Sequence, residues 1–384
     1  MRAGGPRLVG GTPRRWQRTM RLGVLLVIAG LIAGCAADAP QDALDPRGPS
    51  AQASHDLWNI VFPIAVVVFV LVQGLLLVAV WRFRKRRDDG DELPSQVHGN
   101  TRLEILWTLI PAVILAGIAV PTIDTIFDLA AEPDDALQVR VVAKQYWWEF
   151  EYLDDEGQGV ITSGQLHIPT GRPVYLHLEA LSASIPDPGG VGDKTGSVAQ
   201  GVLHSFWVPR LAGKQDVVPG QTRNLTLEAD EPGRYEGQCA EFCGLSHSRM
   251  RFQVIAEDPD EFTAWLDEQA QPVEPVDEDA DPLVAEGEAL FDTATCIQCH
   301  AIDGYESPVD GSTAELRIGP DLTHFASRDT LAGAFLENNR ENLADWIRDP
   351  QDVKPGAQMP NLIEDGLLEE DEVEPLVEYL MSLE

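Results

Sequence analysis

Two thiols, an imidazole and a thioether fall within twelve residues, at Cys239, Cys243, His247 and Met250. Thiolate, imidazole and thioether form the donor set that favours copper over harder metals. Zinc held by both cysteines, His247 and one distant histidine is the competing assignment, but it leaves Met250 without a purpose and the cysteine spacing is not that of a usual zinc knuckle. A disulfide between Cys239 and Cys243 is the third. A second run, Cys296-Ile297-Gln298-Cys299-His300, has the C-x-x-C-H order in which two thiols form thioether bonds to haem vinyl groups and the adjacent histidine binds iron. Taken alone, this run also fits a thiol redox site. Cys35 is the fifth cysteine and sits in a context of its own, so none is left over for a structural disulfide.

The elements that must carry these residues begin with an export signal. Arg14, Arg15, Arg18 and Arg21 precede an uncharged run over 22–34, with no acid before Asp38, and 1–34 therefore reads as a signal peptide. Its end, Leu31-Ile32-Ala33-Gly34-Cys35, resembles a bacterial lipoprotein signal, which implies lipidation of Cys35 as the mature N-terminus; a buried cysteine in an uncleaved helix is the alternative. After an external segment over 35–56, the 25 uncharged residues of 57–81 exceed the roughly 20 that cross a bilayer core. A second span covers 105–127 and contains Pro111 and Pro121. The connection over 82–104 carries Arg82, Arg84, Lys85, Arg86 and Arg87, which places it in the cytoplasm and both termini outside.

Over 135–257 the pattern becomes short alternating runs such as Gln138-Val139-Arg140-Val141-Val142, punctuated by turn formers such as Asp154-Asp155-Glu156-Gly157. This predicts an antiparallel sandwich or barrel. The acidic, proline-bearing stretch over 258–282 reads as a linker with one short helical piece, and 283–384 as a small all-α domain. Before Asp135 there are 13 basic and 13 acidic residues, and from there on 15 and 49, so the whole charge excess of −34 lies outside the membrane part. Such a field disfavours nucleic acid and suits a basic protein partner, although solubility alone accounts for many acidic surfaces.

The run C-x-E-x-C-x-x-x-H-x-x-M resembles the CuA site of haem–copper oxidase subunit II, and the family's H-S-F-x-V-P strand is matched by His204-Ser205-Phe206-Trp207-Val208-Pro209. The resemblance implies a cupredoxin-like, Greek-key domain in which Cys239 and Cys243 bridge two coppers, His204 and His247 bind one each, and Met250 and the Glu241 carbonyl fill the weak positions. It further implies a magnesium at the Glu241 side chain, facing subunit I. Leu103-Glu104-Ile105-Leu106-Trp107 is similar to the start of the family's second helix, where the glutamate marks a proton entry; an interfacial anchor is the alternative role for Glu104. The family's aromatic G-H-Q-W-Y-W is matched by Ala143-Lys144-Gln145-Tyr146-Trp147-Trp148. Tyr146 therefore replaces the tryptophan that takes electrons from soluble cytochrome c, which weighs against direct docking of a soluble donor there. Core packing is the other role open to Tyr146 and Trp147.

Downstream, Gly319-Pro320-Asp321-Leu322 resembles the class I cytochrome c loop beside the proximal histidine, and Lys354-Pro355-Gly356-Ala357-Gln358-Met359-Pro360 resembles the segment that supplies the second axial ligand. This implies His300 and Met359 on the iron of haem c, with Met381 and His324 as weaker alternatives to Met359. The order of signal, helix hairpin, copper domain and fused cytochrome is similar to the caa-type oxidases. Implied are a bacterial cell membrane location with the cofactor domains outside, membrane lipid around the hairpin, oxidase subunits I and III as partners, and cytochrome c or a quinol–cytochrome c reductase complex as donor. Subunit I would reduce oxygen and pump protons. Rivals are the electron-entry subunit of a nitric-oxide reductase, a free-standing membrane carrier, and a quinol-oxidase subunit II, which the intact copper ligands contradict.

Overall fold

With no charge between Asp56 and Arg82, the first long helix has a middle stretch suited to lipid rather than water. The computed structural model describes residues 22–27, 30, 39–84, 98–153, 159–180, 201–273, 281–293, 296–302 and 319–384. Cys35 and the basic residues 85–87 lie outside them. The chain divides into two units, Met1–Asp42 and Ala43–Glu384. In the first, 22–27 are helical; the second holds the remaining elements.

Helix α1 (Pro49–Phe83) has 35 residues, about 52 Å at 1.5 Å per residue, well beyond the ~30 Å hydrocarbon thickness. Its first turn therefore projects, and Ser50 and Ala51 are buried against a β-domain. Ala51 N donates to Leu211 O at 3.0 Å and Ser50 Oγ donates to Thr226 O at 3.2 Å. Farther along, Leu71, Leu77 and Val80 are exposed, as side chains meant for lipid must be. Helix α2 (Thr101–Ala130) begins with a reciprocal cap: the Asn100 side chain accepts from Arg102 N and Leu103 N, and Glu104 Oε1 accepts from Asn100 N at 3.2 Å. Both helices are long and apolar enough to cross a membrane.

The β-domain has two five-stranded sheets. One has the order β3 (Ile161–Ser163), β2 (Trp147–Tyr152), β1 (Leu137–Lys144), β5 (Val174–Ala180), β8 (Arg223–Leu227); the other has β4 (Gln165–Pro169), β10 (Arg251–Glu257), β9 (Gly233–Cys239), β6 (His204–Trp207), β7 (Gln215–Val217). The pairing is not purely antiparallel as the alternation suggested: β1 with β5 and β4 with β10 are parallel. Alternation reports which face of a strand is buried and carries no information on direction. Trp148, Phe150, Tyr152, Phe206 and Phe252 are fully buried between the sheets, with Phe206 and Phe252 stacked at 4.4 Å. A Cβ at position 237 would collide with the Phe252 ring, which fixes Gly237 in the strand that ends at Cys239.

Helix α3 (Pro259–Gln269) buries Phe262 and Leu266 in this same core, and Trp265 stacks on His167 at 4.0 Å. The part of the chain that only connects is therefore shorter than the acidic stretch suggested. The C-terminal domain packs α4 (Pro282–Thr293) against α7 (Val373–Leu380). They approach closely at Gly287, where a Cβ would collide with the Pro375 carbonyl, and Phe291 meets Tyr379 at 5.7 Å. A hairpin of β11 (Thr330–Leu331) and β12 (Leu336–Glu337), then α5 (Arg340–Arg348) and α6 (Pro350–Val353), complete it.

Candidate metal centre and adjoining crevice

Strand register brings the first thiol and imidazole together, because β6 and β9 pair with Phe206 opposite Cys239. His204 Nδ1 then lies 3.8 Å from Cys239 Sγ. Beyond β9 the chain folds back: Cys239 N donates to Met250 O at 3.0 Å and Ala240 N to Ser205 O at 2.9 Å. The loop so closed places Cys243 Sγ 3.9 Å from Cys239 Sγ. His247, in a short 3-10 turn, has Nδ1 3.7 Å from Cys243 Sγ, and Met250 Sδ is 3.8 Å from the same sulfur. The Glu241 main-chain oxygen faces Cys239 Sγ at 3.2 Å.

The two cysteines are free thiols, so the disulfide alternative does not describe this structure. A metal about 2.3 Å from each sulfur fits between them. The ligand atoms of His204, Cys239 and Cys243 lie within 4.8 Å of one another, all buried. A hydrogen bond between the thiols holds Cys239 well below the usual thiol range and pushes Cys243 above it.

The second pair of cysteines differs. Burial pushes Cys296 up to about 11 and raises Cys299, which keeps both as neutral thiols. His300 Nδ1 lies 2.8 Å from the Pro320 oxygen, an arrangement in which Nδ1–H donates and Nε2 is left for a metal. Desolvation lowers the imidazole's pKa, favouring the neutral, ligating form. Cys296, Cys299, His300 and Met359 line one crevice that is open at its mouth. Met381 and His324 do not line it; both His324 ring nitrogens face main-chain oxygens, of Glu384 and Gln271, at 2.6 and 3.0 Å. Gln351 clasps the Met359 loop: its Nε2 donates to Ala357 O and Met359 O, and its Oε1 accepts from Gly356 N.

Residues 41–125, 137–257 and 284–384 match, in that order, the transmembrane domain of cytochrome c oxidase subunit II, its periplasmic domain and cytochrome c. A cytochrome c oxidase subunit 2 from Alkalihalophilus pseudofirmus is 38% identical over 374 residues, covering 96% of this chain and 98% of the relative. The chain belongs to the cytochrome c oxidase subunit II family. A cytochrome c oxidase subunit 2 from Bacillus sp. strain PS3 is 37% identical over 93% of this chain and 95% of its own. A quinol oxidase subunit 2 from Bacillus anthracis is 28% identical over 69% of this chain and 84% of its own. Membership makes this subunit II a component of an oxidoreductase complex with other oxidase subunits, and implies copper in its β-domain and haem in its cytochrome domain.

In this subunit II the aromatic segment divides its roles residue by residue. Trp148 is core. Tyr146 and Trp147, with Gln145 and Ser163, line the same crevice as Cys296, Cys299 and Met359. The Tyr146 hydroxyl accepts from Leu245 N at 3.0 Å, and Gln145 Nε2 donates to Cys243 O at 2.6 Å. Tyr146 is thus buried where the β-domain meets the chain's own cytochrome domain. Glu104 is drawn into the α2 cap, and the Glu241 side chain is half-buried. Sequence reading missed Gln351, Ser246, Arg249 and Lys354. Residue type does not reveal their roles: Gln351 bonds the main chain of its own loop, and Ser246, Arg249 and Lys354 bond main-chain oxygens of distant segments.

Proposed function

We propose that this chain is the electron-entry subunit of a terminal oxidase. It would accept electrons from an external donor at haem c, pass them to a dinuclear CuA centre and deliver them to subunit I, where oxygen is reduced to water with proton pumping. The observation that carries this reading is the shared wall: Tyr146 and Trp147 line the crevice of Cys296, Cys299, His300 and Met359, while Tyr146 and Gln145 are hydrogen-bonded to the loop of Cys243.

Cys296 and Cys299 would hold the haem covalently and His300 and Met359 its iron; Cys239 and Cys243 would bridge the coppers, with His204, His247, Met250 and the Glu241 carbonyl completing them. Bound there, the two groups supply one-electron redox chemistry, and His/Met ligation favours a high haem potential. The protein orients and shields. Pro320 fixes the His300 ring, Gln351 fixes the Met359 loop, and the full burial of His204 and Met250 shields the site from water. Zinc would leave buried Met250, aimed at Cys243, unused.

The membrane part supports the same reading. The start of α1 is fastened to the β-domain and α2 leads into β1, which supports a hairpin with both open ends on the side of the cofactor domains. Cofactor domains on the outer face, Cys35 as a lipid anchor, Glu104 as a proton entry, magnesium at Glu241, and subunits I and III as partners belong to this proposal. The test is purification of the native complex in mild detergent with subunit identification, metal and haem analysis, and oxygen and nitric oxide consumption with reduced cytochrome c. Co-purification with a many-helix haem–copper subunit and cyanide-sensitive oxygen uptake is the expected result. Isolation without such a partner and without turnover would leave a free carrier, and nitric oxide consumption alone a nitric-oxide reductase subunit.

A further inference from the structure

Lys354 leaves the same short stretch that carries Met359, yet its side chain points away from solvent and is only 3% exposed. Its Nζ donates to the Tyr146 oxygen at 2.5 Å and to the Ala332 oxygen at 2.7 Å. Burying an amine is costly unless every donor is met, so a surface evolved only for adhesion would use an apolar residue here. Room for the amine is specific. Gly333 has φ 68°, and a Cβ there would stand 2.8 Å from Lys354 Nζ and 3.0 Å from the Tyr146 oxygen.

Two neighbours of His247 reach the same stretch from the other side. Ser246 Oγ donates to Pro355 O at 2.7 Å and Arg249 Nη1 to Val353 O at 2.6 Å. Ser246 is fully buried. The main-chain oxygens of residues 353 and 355 and the side chain of 354 are thus all engaged by the β-domain, through Tyr146 on one side and the Cys243–Met250 loop on the other. The loop that carries the copper-site ligands and the loop that carries Met359 are bonded to each other directly. A second polar edge joins the same two domains elsewhere, through Arg328 to Ser163 at 2.9 Å and the paired Gln165 and Asp329 side chains.

We propose that Lys354 is a positioning residue for internal electron transfer: with Ser246 and Arg249 it latches the Met359 loop onto the copper-ligand loop, and this latch, rather than diffusion of a tethered domain, sets the transfer rate. The inference rests on the electron-entry reading above. The step carries one electron, taking ferrous haem c to ferric and reducing the copper pair by one equivalent, with no bond made or broken. A tether alone provides an effective concentration; a latch provides one orientation. External donors must then approach the haem from a face other than Tyr146 and Trp147.

The test uses the purified complex, with haem and copper content verified, in wild type, Lys354→Met and Ser246→Ala forms. Haem c is reduced by a flash and the copper absorbance followed, with and without added viscogen. The latch predicts a wild-type rate indifferent to viscosity. Lys354→Met should slow transfer at least about tenfold and make it viscosity-dependent, the behaviour of a tethered domain that must find its site by diffusion; Ser246→Ala should do so more mildly. Both midpoint potentials are measured in every form, so that rates are compared at known driving force, and turnover with a small reductant that reaches copper directly should stay at its wild-type value. Unchanged rates in both variants, or a viscosity-dependent wild type, would overturn the latch. Should Lys354→Met fail to assemble, Ser246→Ala and the wild-type viscosity series decide alone. Absence of haem-to-copper transfer in fully loaded wild type would overturn the electron-entry reading and the latch with it.

Discussion

Met250 Sδ lies 3.8 Å from Cys243 Sγ, and Met250 has no exposed surface. A thioether so placed would offer a soft metal a weak donor, and weak donors tune copper potentials. Met250→Leu keeps the volume and removes the donor. The variant should retain copper, with a changed potential and an altered electron paramagnetic resonance spectrum. Zinc in the native protein, with no spectroscopic change in the variant, would refute the copper assignment.

Met359 and Gln351 separate attachment of haem from its ligation. Met359→Ala should keep the haem covalently bound through Cys296 and Cys299 while losing the low-spin spectrum of six-coordinate iron. Gln351→Ala removes the side chain that bonds Ala357 O, Met359 O and Gly356 N, at about 1–3 kcal/mol for the loop. Its expected signature is an intact haem whose methionine ligand is displaced by added imidazole at much lower concentration than in wild type. Equal imidazole titrations would show that the clasp does not hold the ligand.

The candidate sites were legible in the sequence wherever their side chains sit close together along the chain. Cys239 to Met250 and Cys296 to His300 declare themselves by spacing, and His204 by a strand motif. The two spans were legible because lipid imposes length and apolarity at once. Strand direction was not, and neither was the docking of the two soluble domains. Docking depends on Lys354, Ser246 and Arg249 meeting main-chain oxygens of residues 146, 353 and 355 across the domains, and a carbonyl leaves no trace in residue identity. The role of Tyr146 depended on the same missing information: its replacement of a tryptophan is intelligible once the patch faces a haem crevice in the same chain.

Trp265 lies in the stretch whose composition reads as connection, yet it stacks on His167 at 4.0 Å and 3° and lies 5.7 Å from Tyr152. Trp265→Ala should destabilise the β-domain by about 2–4 kcal/mol, the range for removing a partly buried aromatic with its stacking partner. Differential scanning calorimetry should show the β-domain transition falling while the haem spectrum is unaffected until that transition. A change below about 0.5 kcal/mol would mean that α3 is only peripheral to the core.

Lys354 gives the docked arrangement a pH dependence whose sign is fixed. Burial, reinforced by Arg249 and opposed by Cys243, pulls its ammonium from the usual 10.5 down to about 7. Undocked and solvated, the same group keeps its ordinary value. Between about 7 and 10.5 the undocked form therefore binds more protons, docking releases a proton, and docking strengthens as pH rises, by up to about 1.4 kcal/mol per unit. Below about 7 both forms are protonated and the dependence disappears, leaving docking at its weakest. A neutral amine has two N–H donors, which match the oxygens of Tyr146 and Ala332. Where docking limits transfer, as under Ser246→Ala, the haem-to-copper rate should climb from pH 7 to 9 and lie flat below 7, and adding Lys354→Met should remove the slope. A rate that falls over that window, or a slope that survives Lys354→Met, would place the titrating group elsewhere.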